Sequence, residues 1–263
     1  DDTLGVGGVI FLTSVALADL DGDDWLDIVV SAHSYIHDYW GRAFVFLNNG
    51  DGTFGDAAEY ATGAKSCSVA LADLNGDDWI DIAVANEGDW YYGLSSDVSV
   101  LLNNGDGTFA SDVLYDAGDA ARSVALADLN GDGWIDIAVG DEHVSILLNQ
   151  GDGTFAEPVG YDTPCGSSES VAAGDLDGDD WIDLVVADGS ADGAVCVLLN
   201  EGDGAFACHD SIQVDFASFV VVADLNGDDQ LDIAVAGGSA DDAVILLNEG
   251  GASFAAPVHY GVG

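Results

Sequence analysis

Asp19-Leu20-Asp21-Gly22-Asp23-Asp24-Trp25-Leu26-Asp27 puts carboxylates at positions 1, 3, 5 and 9 of a nine-residue loop, with glycine at position 4. An apolar run precedes it (Val15 to Leu17) and another follows (Ile28 to Val30). Hard cations such as Ca²⁺ take six to eight oxygens at about 2.3–2.6 Å. Four side chains and the backbone carbonyl of position 7 supply most of such a shell. The glycine lets the chain turn tightly enough to aim them inward.

The loop recurs four more times. The copies are Asp73-Leu-Asn75-Gly-Asp77-Asp-Trp79-Ile-Asp81, Asp128-Leu-Asn130-Gly-Asp132-Gly-Trp134-Ile-Asp136, Asp175-Leu-Asp177-Gly-Asp179-Asp-Trp181-Ile-Asp183 and Asp224-Leu-Asn226-Gly-Asp228-Asp-Gln230-Leu-Asp232. Asp-Gly pairs are ordinary turn formers. A plain turn gives no reason for Asp at position 9 in all five copies, and metal binding does. The expected ligands are the side chains at positions 1, 3, 5 and 9, with the carbonyls of Trp25, Trp79, Trp134, Trp181 and Gln230, for five Ca²⁺ ions.

The loop starts are 54, 55, 47 and 49 residues apart, a period that means a repeat architecture. Each repeat reads as an apolar strand, the loop, a second strand (Ile28–Val30, Ile82–Ala85) and a third (Ala43–Leu47, Val98–Leu102). An Asn-x-Gly-Asp-Gly-x-Phe type of turn then leads to a fourth strand, which ends near Tyr60, Tyr115, Tyr161 and Tyr260 in four repeats. Four strands per repeat, short turns and no helical periodicity predict an all-β, five-bladed β-propeller of four-stranded antiparallel blades, as one domain over 1–263.

These residues resemble the FG-GAP/VCBS repeat, found in integrin α-subunit propellers, some fungal lectins and many secreted microbial proteins. The resemblance covers Phe11 to Tyr260. It implies blades with Ca²⁺ in the loop joining the first two strands. Five blades is fewer than the seven typical of integrins, so integrin ligand chemistry does not carry over.

Three basic residues stand against 49 acidic ones, a formal charge of −46, and the chain has no Met. Five Ca²⁺ would leave about −36. The remainder suits a solvated surface in a salty medium. Nucleic acid is excluded as a partner, since phosphates need Lys and Arg, and no apolar run reaches the ~20 residues of a membrane span. A chain starting at Asp1 reads as a processed product or an excised domain, secreted or displayed at the cell surface. Cys196 and Cys208 lie equidistant from Gly202 and are expected to pair across a hairpin. Cys67 and Cys165 are expected to be unpaired thiols.

Length differences between repeats fall on the face opposite the calcium loops. Repeats 1 and 2 carry long second-to-third connections, 31–42 and 86–97, containing Tyr35, Tyr39, Trp40, Trp90, Tyr91 and Tyr92. Exposed loop aromatics usually mean binding. The three basic residues, Arg42, Lys65 and Arg122, map to the same face, and the plain alternative is that each neutralises a local acid. The recurrent Trp of position 7 is expected to pack between blades. The leading reading is a carbohydrate-binding module using these nine residues. The alternatives are a protein–protein or self-assembly module, and an extracellular lyase or hydrolase whose paired carboxylates leave no signature. The fourth strand of the last repeat, Phe254 to Tyr260, is expected to leave Asp1 to Thr13 packing at a seam.

Overall fold

The computed structural model describes residues 10–34, 40–89, 91–237 and 242–261. It contains five four-stranded antiparallel sheets, each made of four strands consecutive in the chain. Sheet 1 is β1 (Ile10–Ala18), β2 (Asp27–Ser34), β3 (Gly41–Phe46) and β4 (Ala58–Thr62). Sheet 2 is β5 (Ser66–Ala72), β6 (Asp81–Asn86), β7 (Asp97–Leu101) and β8 (Val113–Asp116). Sheet 3 is β9 (Ser123–Ala127), β10 (Asp136–Gly140), β11 (Val144–Leu147) and β12 (Val159–Tyr161). Sheet 4 is β13 (Ser168–Gly174), β14 (Asp183–Asp188), β15 (Ala194–Asn200) and β16 (Phe206–Gln213). Sheet 5 is β17 (Phe219–Ala223), β18 (Asp232–Gly237), β19 (Asp242–Leu246) and β20 (Val258–Gly261). No described helix is long and apolar enough to cross a membrane.

The chain divides into two compact units, Asp1–Arg122 with sheets 1 and 2, and Ser123–Gly263 with sheets 3 to 5. Within each unit the second and third strands are the most buried, as their Val/Ile/Leu/Ala content requires. The first unit's core joins Leu20, Val29 and Val45 of sheet 1 to Val69, Ile82 and Leu101 of sheet 2. The second unit repeats the scheme, with Leu129 against Val171 and Leu176 against Val220.

The Leu at position 2 of the first four loops is a plug that periodicity did not single out. Leu20, Leu74, Leu129 and Leu176 are buried. Its carbonyl is also used: Asn103 Nδ2 donates to Leu20 O at 2.9 Å, Asn200 Nδ2 to Leu129 O at 2.7 Å and Asn248 Nδ2 to Leu176 O at 2.8 Å. Asn103, Asn200 and Asn248, each opening the turn after a third strand, therefore tie their sheets to the preceding ones. Tyr60 meets Phe109 edge-on at 5.4 Å, and Tyr161 meets Phe206 at 5.6 Å. These pairs close the outer edges of two such junctions.

Position-7 Trp packs as expected in part. The ring of Trp79 lies against Gly22 of the preceding loop and Gly105 of its own turn, and Trp181 lies likewise against Gly131 and Gly202. A Cβ at Gly105 would stand 3.0 Å from Trp79 Nε1, so the first turn glycine is needed for room as well as for its positive φ. Trp25 and Trp134, in the first sheet of each unit, stay exposed.

Three expectations change. First, the disulfide joins Cys165 to Cys196, with Cα atoms 6.1 Å apart, and leaves Cys208 exposed and free with Cys67. The hairpin pairs Asn200 with Phe206, so Cys208 faces Leu198; a bulge then brings Cys196 opposite Ser211. Counting from Gly202 misplaced the turn centre and missed the bulge. Second, residues 31–34 extend β2, and Gly41 and Arg42 begin β3, so the first connection is shorter than 31–42. Asn86 and Asp97 likewise belong to strands. Third, Ile10 to Thr13 form the start of β1, with Thr13 Oγ1 3.0 Å from both Ser31 O and Ser66 O, and the rest of the expected seam segment, residues 1–9, lies outside the described residues. Among the described residues, sheet 5 consists of β17 to β20 alone.

Candidate metal loops and the opposite loop face

Each loop is wound around its first Asp. Asp19 Oδ1 accepts from Gly22 N (2.8 Å) and Asp23 N (3.2 Å), and its Oδ2 from Asp24 N (2.9 Å). Asp23 Oδ1 accepts from Trp25 N at 2.9 Å. The winding needs left-handed backbone at two places: Gly22 at φ 78° and Asp24 at φ 71°. Position 6 repeats this in Asp78, Gly133, Asp180 and Asp229. Asp is among the few side chains that tolerate it, which explains a sixth-position preference the ligand pattern did not require.

Position 9 has a structural task of its own. Asp27 is fully buried; its Oδ2 accepts from Leu20 N and its Oδ1 from Asn48 N, both at 2.8 Å. Asp81, Asp136, Asp183 and Asp232 repeat both contacts. The carboxylate staples the loop to the Gly-Asp-Gly turn. Its invariance therefore has a reason besides metal, which sequence reasoning did not find. Burial pushes the carboxyls of Asp81, Asp136 and Asp183 up to about 6, against the lowering effect of the two N–H donors.

The loops pass a chemical test for a cation unequally. Oxygens of Asp19, Asp21 and Asp27 lie within 4.8 Å of one another, as do those of Asp175, Asp177 and Asp179. Asp21 Oδ1 is buried with no hydrogen-bond partner among the described residues. Burial raises the Asp21 carboxyl above its ordinary value, helped by the charges of Asp23, Asp27 and Asp19. Asp177 is raised by burial and by Asp179 and Asp175. A divalent cation removes both penalties at once. In loops 2, 3 and 5 the third position is Asn, whose Nδ2 donates to the fifth-position Asp at 3.0 Å. Those loops satisfy themselves with one fewer charge.

On the opposite loop face, Tyr35, Tyr39 and Trp90 lie outside the described residues. Tyr91 and Tyr92 are exposed and meet edge-on at 5.0 Å. Asp89 holds them: its Oδ1 accepts from Tyr91 N at 3.0 Å, and Asp89 and Leu94 exchange both backbone hydrogen bonds. Trp40 is half-buried, with the Arg42 guanidinium 4.6 Å from its ring centre.

The basic residues are each paired. Arg42 Nε meets Glu59 Oε1 at 2.6 Å. Lys65 and Arg122 share Glu87, at 2.9 and 3.6 Å. Glu87 N also donates to Lys65 O at 3.1 Å, so the 87–96 loop is docked on the crossover before β5. The alternative of local neutralisation accounts for all three. Cys67 sits at the bulge of β5, 3.9 Å from Glu87 Oε2. Burial and that carboxylate push its thiol up to about 11, which makes it a poor nucleophile.

A cleft of about 410 Å³ lies beside this loop, lined by Ser95, Ser96, Asp97, Leu114, Asp116, Gly118 and Asp119. Asp97 is buried in its wall and accepts from Asn86 Nδ2 at 2.8 Å. Burial first, then Asp112 and Asp116, push its carboxyl up to about 6. The folded protein thus holds this proton more tightly than the unfolded chain. The group costs nothing below about pH 4 and destabilises as pH rises through 6. Asp97→Asn keeps the acceptor for Asn86 and removes the charge. Urea titrations at pH 7.5 should show the variant roughly 1–3 kcal/mol more stable, with the gain vanishing near pH 4. An equal effect at both pH values would show the Asp97 charge to be irrelevant.

Repeated four-stranded sheets with an acidic loop between the first two strands define a class of all-β repeat proteins. The family model described as FG-GAP-like repeat matches residues 19–84, 73–139, 137–186 and 175–235, and the chain belongs to that family. Two solved structures are similar. The Vibrio cholerae biofilm matrix protein Bap1 is 19% identical with a TM-score of 0.54, covering 96% of this chain and 40% of its own. BBS1N, solved in complex with ARL6DN, is 15% identical with a TM-score of 0.57, covering 97% of this chain and 70% of its own. This chain thus spans less than half of the Bap1 chain. No curated protein matches in sequence.

Proposed function

We propose that the chain is a five-bladed, propeller-type binding module that works outside the cytoplasm and is stabilised by calcium. All five loops take one ion each, through the side chains of positions 1, 3, 5 and 9 and the position-7 carbonyl. The buried, unpartnered Asp21 Oδ1 supports this most directly. When bound, the ion would supply positive charge to the loop oxygens that coordinate it; the protein's residues hold the turns, and through them the sheets, in place. The Cys165–Cys196 disulfide fits an oxidising compartment. The biofilm matrix named for Bap1 is a setting of that kind.

The ligand class we propose is carbohydrate, and the exposed Tyr91–Tyr92 pair carries the reading. Two rings held at 81° on a loop fixed by Asp89 offer apolar faces to a sugar without costing the core anything. Trp40, with Trp90, Tyr35 and Tyr39 of the same connections, extends the proposed surface. Arg42, Lys65 and Arg122 border it, with their charge shared with Glu59 and Glu87. A glycan array probed with the calcium-loaded protein should identify a binder. Each good aromatic contact contributes roughly 0.5–1.5 kcal/mol. Tyr91→Ala with Tyr92→Ala should therefore weaken binding to that glycan about tenfold and leave the melting temperature unchanged. Parental affinity in the double variant would remove this site, and an array without any binder would remove the carbohydrate reading.

A further inference from the structure

Sheet 2 sets two like charges face to face at a place where the other sheets do not. Asp97, at the start of β7, pairs with Asp116, at the end of β8. The residue six before the turn Asn holds this place in every repeat. Its cross-strand partners are Ala61 for Arg42, Gln213 for Ala194 and Gly261 for Asp242. In sheet 3 the residue is His143, whose Nδ1 lies 3.4 Å from Asp162, and Asp242 of sheet 5 has His259 Nδ1 at 3.2 Å. Like charges directly opposite on two strands repel. Among the described residues no base meets Asp97 or Asp116, because Arg42, Lys65 and Arg122 are paired with Glu59 and Glu87.

Asp97 also lacks a partner that its depth calls for. It is 6% exposed, and Asn86 Nδ2 donates to its Oδ1 at 2.8 Å, while its Oδ2 has no hydrogen-bond partner among the described residues. It lines the cleft of about 410 Å³ together with Ser95, Ser96, Leu114, Asp116 and Asp119. Small-molecule sites are clefts of roughly 300–1,000 Å³, so the space suits an organic ligand better than a bare ion. A hard metal ion needs oxygens converging on it at about 2.3–2.6 Å. Among the described residues, three acidic side chains converge in that way in loops 1 and 4 and not in this cleft. A primary ammonium carries three N–H donors that point apart, and it needs no such convergence.

We propose, resting on the carbohydrate reading, that the cleft takes the protonated amino group of an amino sugar whose ring packs on the Tyr91–Tyr92 pair. Asp97 Oδ2 and the Asp116 carboxylate accept from the ammonium, which supplies the counter-charge that the sheet lacks. The ring pair is close at hand: Tyr92 stands three residues before Ser95, a reach of about 10 Å at most. Exposed Leu114 adds an apolar contact inside the cleft. Ser96 Oγ accepts from Ala121 N at 2.7 Å, which leaves its O–H to donate to a sugar oxygen. The raised Asp97 carboxyl fits the same ligand, since a bound cation favours its charged form.

Isothermal titration of the calcium-loaded protein at pH 6.5 and about 0.15 M NaCl tests this with the glucosamine tetramer, its N-acetylated counterpart and tetralysine. Acetylation removes the charge and keeps the ring. The parental chain should bind the glucosamine tetramer at least about tenfold more tightly than either of the others. Asp97→Asn, which keeps the acceptor for Asn86, and Asp116→Asn should each abolish most of that preference. Asp56→Asn, which removes an exposed charge outside the cleft, should leave it intact. Tyr91→Ala with Tyr92→Ala should weaken both sugars by the same factor. Equal affinity for the two sugars overturns the ammonium site and leaves the carbohydrate reading standing. Tetralysine bound as tightly as the glucosamine tetramer overturns it as well, because charge attraction alone then accounts for binding. So does a preference that survives in both Asp97→Asn and Asp116→Asn. If neither tetramer binds, the inference falls, while a binder on the glycan array keeps the broader reading.

Discussion

Chelation with EDTA at low salt is expected to lower the melting temperature by tens of degrees. A ligand that binds only the folded state adds about 2.7 kcal/mol per site at a hundredfold excess over Kd. Each kilocalorie is worth about 2–4 °C in a chain of this size. Removal also restores the repulsion among three or four carboxylates in each loop; the Asp21 and Asp177 carboxyls are raised by burial first and by their acidic neighbours second. Loops 1 and 4, with a fourth carboxylate in place of Asn, should hold their ions most tightly. Asp21→Asn with Asp177→Asn should thus lower the calcium affinity of two sites while leaving three unchanged in calorimetric titration. A melt that does not move after verified metal removal would show that the Asp19-type windings and the position-9 staples hold the loops unaided.

Breaking the Cys165–Cys196 bond should cost about 3–4 kcal/mol. The bridge closes a loop across a sequence separation of 31, and chain entropy of the unfolded state sets the scale. Cys165 lies in the crossover before β13 and Cys196 in β15, both buried in the cluster that joins sheets 3 and 4. The bond therefore ties a crossover to the sheet that follows it. Cys165→Ala with Cys196→Ala should lower the unfolding free energy from urea titration by that amount, and the midpoint with it. Cys208→Ser should leave it unchanged, because Cys208 is exposed and unbonded. Peptide mapping without reductant should recover a Cys165–Cys196 pair; a Cys196–Cys208 pair would contradict the β15–β16 register.

The repeat, the order of its strands and the acidic loops were legible because each rests on a local rule. A nine-residue spacing of oxygens, a glycine that permits a turn and a run of alternating apolar residues are all read within one stretch of chain. The role of position 9 was half legible. Its invariance pointed to the loop, but its partner, the N–H of Asn48, lies 21 residues away and is brought there only by the β2–β3 hairpin. Asn103 reaching Leu20 across 83 residues could not be seen at all.

The sequence by itself determined how many repeats there are, where each loop and turn falls, and that the chain would fold into four-stranded sheets rather than helices. Local backbone preference and binary patterning suffice for that. Only the tertiary structure decided which cysteines pair, because the hairpin that pairs Asn200 with Phe206 sets Cys208 opposite Leu198, and the crossover before β13 brings Cys165 onto Cys196. It alone decided that Arg42, Lys65 and Arg122 are spent on Glu59 and Glu87, since ion pairs depend on which crossover meets which loop. It also decided which copies of a repeated residue are covered. Val15 and Val69 occupy the same place in the repeat, and burial separates them because Val69 packs against sheet 1 within its unit whereas Val15 has no described sheet before it.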